Sequence, residues 1–290
     1  MTFRAFFGHR YVKLFVKVVV SVLCLYVVFR KINFNEMSHL FWKAHPIYLV
    51  AAGLFFILSK LFSSVRLHKY LACSGVAVSQ LENVKLYWLG MFYNLFLPGG
   101  IGGDGYKAYY LHKRYKDVGL KKIIILLLKD RLNGLAVVCM MLLSMAGCMT
   151  LSFPISNWWI FAGLIAGSLG LYLIEKLMKP DSAAFLWYTA VFSFLVQVTQ
   201  IISMLFLLVA LGVSEHYVEI SFVFLLSTII AMMPFTIGGI GFRELTFLYF
   251  AEYFHYDKSI LVAVAFLFFI ITSLLSLPGV YYHFRNDKLQ

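Results

Sequence analysis

A glycine-rich stretch in the first half of the 290-residue sequence carries residues suited to holding an anion. It occupies residues 97–107 and reads LPGGIGGDGYK, with Pro98 before the glycines and Asp104 and Lys107 near its end. Glycine can turn through positive φ angles, and the free N–H groups at a helix start attract phosphate and other anions. We expect a helix to begin near Gly105, with Asp104 as its N-cap and Lys107 adding a positive charge.

The same pattern occurs again 136 residues further on. The second copy reads PFTIGGIGFR where the first reads PGGIGGDGYK, so proline, isoleucine, three glycines, an aromatic and a basic residue coincide. The alternative to a true internal repeat is a coincidence between two glycine-rich turns, and we favour the repeat. The candidate headgroup-binding residues are Gly102, Gly103, Asp104, Lys107, Gly238, Gly239, Arg243 and Glu244, and the candidate hinges are Pro98 and Pro234.

Charged residues inside an apolar run form a second group of candidates. The stretch LLLKDRLNGL contains Asp130 and Arg131, and a charge at the centre of a bilayer costs about 2.5 to 3.5 kcal/mol on the insertion scale. Asp130 could pair with Lys107, or Arg131 with Glu244, across helices. The alternative is that the apolar span begins only at Leu132 and leaves both charges at the membrane interface.

Soluble-protein motifs do not fit the glycine stretch. Gly100, Gly102 and Gly105 satisfy G-x-G-x-x-G, but a dinucleotide site needs a strand before the glycines and an acid about 20 residues later. No Gly-Lys-Ser or Gly-Lys-Thr sequence of a phosphate-binding P-loop occurs. The four cysteines and eight histidines show no metal-ligand spacing. We therefore predict no metal site, no cofactor and no catalytic residue.

The elements that position these residues are membrane helices. Hydrophobic residues make up 62% of the chain, against roughly 45 to 50% in soluble domains. Since a spanning helix needs about 20 mostly apolar residues, we predict an all-α polytopic membrane protein with about six full transmembrane helices, at 11–29, 46–62, 123–148, 158–174, 185–211 and 260–284. Gln197 and Gln200 share one face of the fifth span, where they line a cavity or bond between helices.

The net charge of +12 is distributed as an orientation signal, which excludes a nucleic-acid partner. We place the N- and C-termini in the cytoplasm. We interpret residues 86–105 and 220–243 as re-entrant segments, which enter the membrane and return to the same side. The inner segments then hold 17 Lys and Arg residues and the outer segments five, with Lys60, Lys129 and Arg131 inside apolar runs. The first region is too short to cross, since residues 86–97 span only about 18 Å as a helix.

Three full spans separate the two glycine stretches, so the second enters from the opposite face. We therefore predict one domain, 1–290, made of an inverted repeat with two re-entrant half-helices. Its first half covers about 1–150 with a glycine loop at 98–105, and its second half covers about 151–290 with a loop at 234–241. Many transporters place their binding site between such repeats, near the middle of the membrane.

Several segments resemble signature segments of the lysylphosphatidylglycerol synthase transmembrane family, the membrane module of bacterial multipeptide-resistance proteins. They read NLFLPGGIGGDGYKAYYL, KDRLNGL and MPFTIGGIGFRE, and SSVRLHKYLACSG places Arg66 in the family's arginine-containing stretch. The resemblance covers about residues 10–285 and implies a lipid flippase or lipid-binding fold. The best-known members carry a soluble synthase domain after this module. The present sequence ends at HFRNDKLQ, so synthase activity is not expected.

The sequence thus predicts a flippase that moves an anionic lipid headgroup across the bacterial cytoplasmic membrane. The alternative is an enzyme or accessory protein acting on a polyprenyl-phosphate, a glycolipid or a phospholipid, for which only Asp104, Asp130 and Glu244 offer acid-base groups. A third reading is a scaffold that contacts lipid-biosynthetic enzymes through its basic loop, residues 107–122. A homo-oligomer is compatible with each of these.

Overall fold

The computed structural model describes residues 18–96, 102–149, 183–232 and 239–284, together with the positions 163, 165, 167, 169, 170 and 176. Helices and their connections account for these residues, with no strand among them. The helices are α1 (Val18–Lys31), α2 (Phe34–Lys43), α3 (Pro46–Cys73), α4 (Gln80–Phe96), α5 (Gly102–Arg114), α6 (Leu120–Cys148), α7 (Ala183–Ala210), α8 (Tyr217–Met232), α9 (Phe242–Phe254), α10 (Lys258–Ser276) and α11 (Gly279–Phe284).

Three helical stretches of the described residues are long and apolar enough to cross a membrane. They are α3, the Trp187–Ala210 part of α7, and Lys258–Tyr282 across α10 and α11. α1 and α2 together would supply a fourth, with a bend of 90° between them. Several crossings in one chain make this a multi-pass membrane protein. Six spans stay a prediction, because residues 1–17 and most of 158–174 lie outside the described residues.

Local sequence explains where several helices begin. Pro46 occupies the first turn of α3, where its missing N–H is not needed. The Asp257 side chain caps α10 by accepting the Ile260 N–H at 3.1 Å. α4 begins at Gln80, earlier than predicted, because the Ser79 hydroxyl accepts the N–H of Glu82 at 3.2 Å. At 17 residues, or about 25 Å, α4 is still shorter than the roughly 30 Å membrane core.

The core is built on α3 and α7, which pack along one another. Small polar residues allow this close approach, as is typical of membrane helices. The Ser203 hydroxyl of α7, for example, donates to the Ala52 carbonyl of α3 at 2.7 Å. Aromatic residues from α3, α8, α9 and α10 fill the adjoining core, with the fully or nearly fully buried rings of Phe56, Phe224, Phe247 and Phe268 among them.

α4 and α5 form a helical hairpin whose two ends lie side by side. The Arg114 guanidinium, at the end of α5, pairs with Glu82 at the start of α4 through a 3.0 Å contact. The next residue, Tyr115, donates from its hydroxyl to the Ala77 carbonyl at 3.0 Å. Lys122, in the first turn of α6, donates to the Ser74 carbonyl just after α3 at 2.9 Å. The hairpin therefore starts and finishes beside the C-terminal end of α3.

α8 and α9 form a second hairpin of nearly equal size, with helices of 16 and 13 residues against 17 and 13 in the first. Its two ends also meet, because the rings of His216 and Tyr256 stack with centroids 4.3 Å apart. This hairpin lies at the N-terminal end of α3, where the His45 N–H donates to the Ala210 carbonyl at 3.1 Å. The two hairpins therefore enter the helix bundle from opposite ends of α3.

Candidate functional site

Residues from both hairpins line one cavity of about 340 Å³, which we call the central cavity. Lys60 lies near the middle of α3, and Gln197 and Gln200 lie near the middle of α7, so the cavity sits halfway along the two long helices. The two glutamines line it, which is one of the two roles expected for them. Five cations and three carboxylates also line it, namely Lys60, Arg66, Lys107, Arg131, Arg243, Asp104, Asp130 and Glu244.

Asp130 pairs with an arginine of α3. Its carboxylate accepts the Arg66 Nε–H at 2.7 Å, and the two side chains are only 7% and 6% exposed. Arg66 also donates to the Ser193 hydroxyl of α7 at 2.6 Å, and Ser193 in turn donates to Asn133 of α6. A side chain at Gly134 would place its Cβ 3.2 Å from Arg66 Nη1, so this glycine leaves room for the guanidinium. These contacts join α3, α6 and α7 in one buried polar network.

The hypothesis that Asp130 pairs with Lys107 is therefore wrong. Lys107 instead lies 3.4 Å from the carboxylate of Asp104, and its ammonium rests 3.6 Å from the centre of the Tyr87 ring. Arg131 donates to the other oxygen of Asp104, so the hypothesised Arg131 to Glu244 pair does not form. The reason is geometric, since Asp130 and Arg131 follow one another on α6 and face different neighbours.

The start of α5 differs from the prediction. The helix begins at Gly102, so Asp104 lies within its first turn and is not the N-cap. The N–H of Gly103 donates to the Asn94 side chain at 2.8 Å and is not free for a ligand. Gly103 also lies so close to α4 that a Cβ there would come 2.1 Å from the Gly90 carbonyl oxygen. Gly103 therefore serves helix packing.

The second hairpin tip uses its glycines for their backbone angles. Gly239 lines the central cavity with φ of 81°, and Gly241 precedes α9 with φ of 90°. The carboxylate of Glu244 turns back to accept the Gly241 N–H at 2.7 Å, which caps α9 from within the chain. Three further candidates, Pro98, Pro234 and Gly238, lie outside the described residues.

The cationic groups of Arg243 and Lys60 lie over aromatic rings. The Arg243 guanidinium carbon lies 4.6 Å from the centre of the Phe268 ring, and the Lys60 ammonium lies 4.6 Å from that of Phe56. The two rings touch edge to face with centroids 5.8 Å apart. Within the described part of the chain, neither cation has a carboxylate within 4.0 Å.

Lys60, Tyr87, Asn94 and Ser193 contribute to the site or its support without having been selected from the sequence. Lys60 carried a usable signal, because a charge inside an apolar run is a functional candidate by default. Uncharged residues such as Asn94 and Ser193 carried none, since they are common in membrane helices. Among the described residues, no three His, Cys, Asp or Glu side chains are arranged to hold a metal ion.

One known protein family matches nearly the whole chain. Residues 14–279 match the family described as lysylphosphatidylglycerol synthase TM region. A comparison with curated proteins gave no match. The matched residues include both hairpins and every charged residue of the central cavity, and they confirm the resemblance seen in the sequence. The chain belongs to the lysylphosphatidylglycerol synthase TM region family.

Proposed function

We propose that this protein is a flippase that moves an anionic lipid headgroup across the bacterial cytoplasmic membrane while the lipid tails stay in the bilayer. One observation supports this most directly. The central cavity lies halfway along the long helices, and its lining has five cations against three carboxylates. A charged headgroup is costly to bring into the membrane core, and fixed cations at that depth offset its cost.

The two hairpins are the moving parts of this proposal. They have matching helix lengths, and they reach the cavity from opposite ends of α3 with Lys107 and Arg243 at corresponding places. We interpret them as an inverted repeat of re-entrant segments, in which each hairpin closes one side of the cavity in turn. A headgroup then meets a similar site from either leaflet, with both chain termini in the cytoplasm and six spans around the site.

The arrangement of the carboxylates favours transport over catalysis. Asp130 is bound to Arg66, Asp104 is bound to Arg131 and Lys107, and Glu244 caps its own helix. A general base must be able to accept a proton from its substrate. Each of these three carboxylates is already engaged by a cation or a backbone N–H group, so the cavity is better equipped to bind an anion than to transform it.

Reconstitution into liposomes tests the proposal. Vesicles containing a fluorescent phosphatidylglycerol are treated with a membrane-impermeant quencher, and the fraction of quenched lipid reports movement between leaflets. We expect the protein to raise this fraction above one half, and we expect Lys107→Ala and Arg131→Ala to slow the movement at least about tenfold, because each removes a positive charge that offsets the charge of the headgroup in the cavity.

The matched control is Lys113→Ala, which removes an exposed cation from the same helix as Lys107. It should move lipid at the unmodified rate at equal protein density. Vesicles whose quenched fraction equals that of protein-free vesicles would refute the flippase function. Unchanged movement in both cavity variants would remove those two residues from the mechanism.

A further inference from the structure

The five cations of the central cavity differ in how the protein neutralises them. Three have a carboxylate within ion-pairing distance, namely Arg66 with Asp130, and Lys107 and Arg131 with Asp104. Lys60 and Arg243 have none within 4.0 Å among the described residues. Lys60 and Arg243 are therefore the two cavity cations without a direct ion pair in the described part of the chain.

The repeat itself explains why Arg243 lacks a counter-charge. In the aligned copies Asp104 corresponds to Ile240, so the first copy has a carboxylate three residues before its basic residue and the second has an apolar side chain. Glu244 attracts Arg243 electrostatically, but its carboxylate accepts the Gly241 N–H and makes no ion pair with the guanidinium. The second copy therefore presents its cation to the cavity without an ion-paired carboxylate.

Lys60 and Arg243 also act on each other. The Lys60 ammonium lies over the Phe56 ring and the Arg243 guanidinium over the Phe268 ring, and these two rings are in contact. The positive charge of Arg243 repels that of Lys60. Repulsion between like charges is strong where water is scarce. An anion bound between them would add two attractions that outweigh this repulsion. The Nε–H of Arg243 is moreover buried and has no hydrogen-bond acceptor among the described residues.

Gln197 supplies an independent sign of a ligand on the same cavity wall. It is 6% exposed, and its side-chain oxygen is buried without a donor in the described part of the chain. Buried polar atoms are nearly always hydrogen-bonded, so an acceptor of this kind in a residue that lines the cavity is suited to a polar group of a ligand. An acceptor in the same cavity as two cations suits a phosphate ester that also carries a hydroxyl or ammonium group.

We propose that Lys60 and Arg243 bind the phosphate of the ligand, and that Gln197 accepts a hydrogen bond from a hydroxyl or ammonium group of the same headgroup. This inference rests on the proposed flippase function for its ligand class, a lipid phosphodiester. The other three cations, with Asp104 and Asp130, hold the hairpin and the helices in place around this subsite.

Binding to the full chain in detergent tests the subsite. The probe is dihexanoyl-phosphatidylglycerol, a soluble phosphodiester with hydroxyl groups, titrated by calorimetry. We expect Lys60→Gln and Arg243→Gln each to weaken binding at least about tenfold, since each removes a charge-assisted contact. Lys60→Arg and Arg243→Lys keep the charge and should stay within a few-fold of the unmodified chain. They also show that the positions tolerate substitution.

Exposed cations provide matched controls. Lys113→Gln and Arg30→Gln remove the same charges at exposed positions and should leave binding unchanged. Gln197→Leu should weaken binding of dihexanoyl-phosphatidylglycerol but not of dihexanoyl-phosphatidylcholine, whose headgroup has no hydrogen-bond donor. Wild-type affinity in Arg243→Gln and Lys60→Gln would overturn the subsite. Equal losses of affinity for the two lipids in Gln197→Leu would overturn the proposal that Gln197 accepts a hydrogen bond from the headgroup.

Two further measurements are included. One distinguishes a lipid from a free phosphate as the ligand, and the other distinguishes failure of the subsite from failure of the flippase function. Glycerol 3-phosphate and inorganic phosphate should bind more weakly than the short-chain lipid, and equal affinity would overturn the lipid source. If the unmodified chain binds the lipid through Lys60 and Arg243 but moves none in vesicles, the flippase function fails and the subsite stands. If it moves lipid while Arg243→Gln and Lys60→Gln bind normally, the subsite fails and the function stands.

Discussion

At the scale of single residues, the buried pair of Arg66 and Asp130 links three helices. Both side chains are more than nine-tenths buried, and Ser193 satisfies a further N–H of the guanidinium. Such a pair is expensive to bury, and its net contribution to stability is small. Removing only one partner is different, because the other charge is then left buried without compensation. The pair therefore makes the packing of α3 against α6 depend on one specific contact.

Replacing Asp130 by asparagine should lower stability by about 3 kcal/mol, because the Arg66 guanidinium loses its counter-charge at nearly constant side-chain volume. The measurement is thermal unfolding in detergent. The double variant Arg66→Met with Asp130→Leu should unfold at a higher temperature than Asp130→Asn, since no charge remains unpaired. Asp117→Asn, at an exposed position in the loop before α6, is the control and should match the unmodified protein. An unchanged melting temperature for Asp130→Asn would show that the pair is not buried as described.

At the scale of elements, glycines set how closely the two helices of each hairpin approach. In the first hairpin Gly103 packs against the backbone of Gly90, and Gly90 in turn leaves room for the Lys107 side chain. In the second, a Cβ at Gly239 would come 2.9 Å from that of Ala231. These small residues therefore allow the close approach of the two segments in each hairpin, near the charged side chains that line the cavity.

Gly103→Ala should destabilise the protein by about 1 to 3 kcal/mol, because its Cβ would come 2.1 Å from a backbone oxygen that cannot move away easily. Gly105→Ala, two residues later on the same helix, is the matched comparison, since its Cβ would meet nothing within 4 Å. That change should be neutral or slightly stabilising because alanine favours helix. Melting temperatures in detergent distinguish the two. If both variants melt together, the close packing of α4 and α5 does not control stability.

At the scale of the whole molecule, the contacts sort the loops into two groups at opposite ends of α3. Loops around residues 74–79 and 115–119 lie together at one end, while those around 44–45, 212–216 and 255–257 lie together at the other. The same grouping follows from the placement of basic residues in the sequence. This grouping supports the proposal of an inverted repeat, in which each hairpin enters and leaves the membrane on the same side.

Cysteine accessibility in cells tests this topology. In a chain whose four native cysteines are replaced by alanine, single cysteines are introduced at Gly119, Glu215 and Asp257. We expect Glu215→Cys and Asp257→Cys to react with an impermeant reagent from the outside, and Gly119→Cys only after the membrane is opened. Labelling of Glu215→Cys and Asp257→Cys from opposite sides would refute the second re-entrant hairpin and, with it, the inverted repeat.

Much of the site was predictable because its signals are local. An apolar composition excludes a soluble fold. A charge such as Asp130 inside an apolar run is costly to bury, so it is a functional candidate. A repeated glycine pattern is visible in the sequence itself. Such signals singled out Lys107, Arg131 and Arg243, and all three line the central cavity.

The sequence by itself determined the class of protein, the repeated glycine pattern and most of the charged residues that line the cavity. Only the tertiary structure decided which charged side chains form ion pairs. It also showed that the Gly103 N–H donates to Asn94 and that Lys60 lines the same cavity as Arg243. The physical reason is that ion pairing depends on the rotation and depth of helices far apart in the chain. Arg66 and Asp130 meet across 64 positions, and no local pattern records that contact.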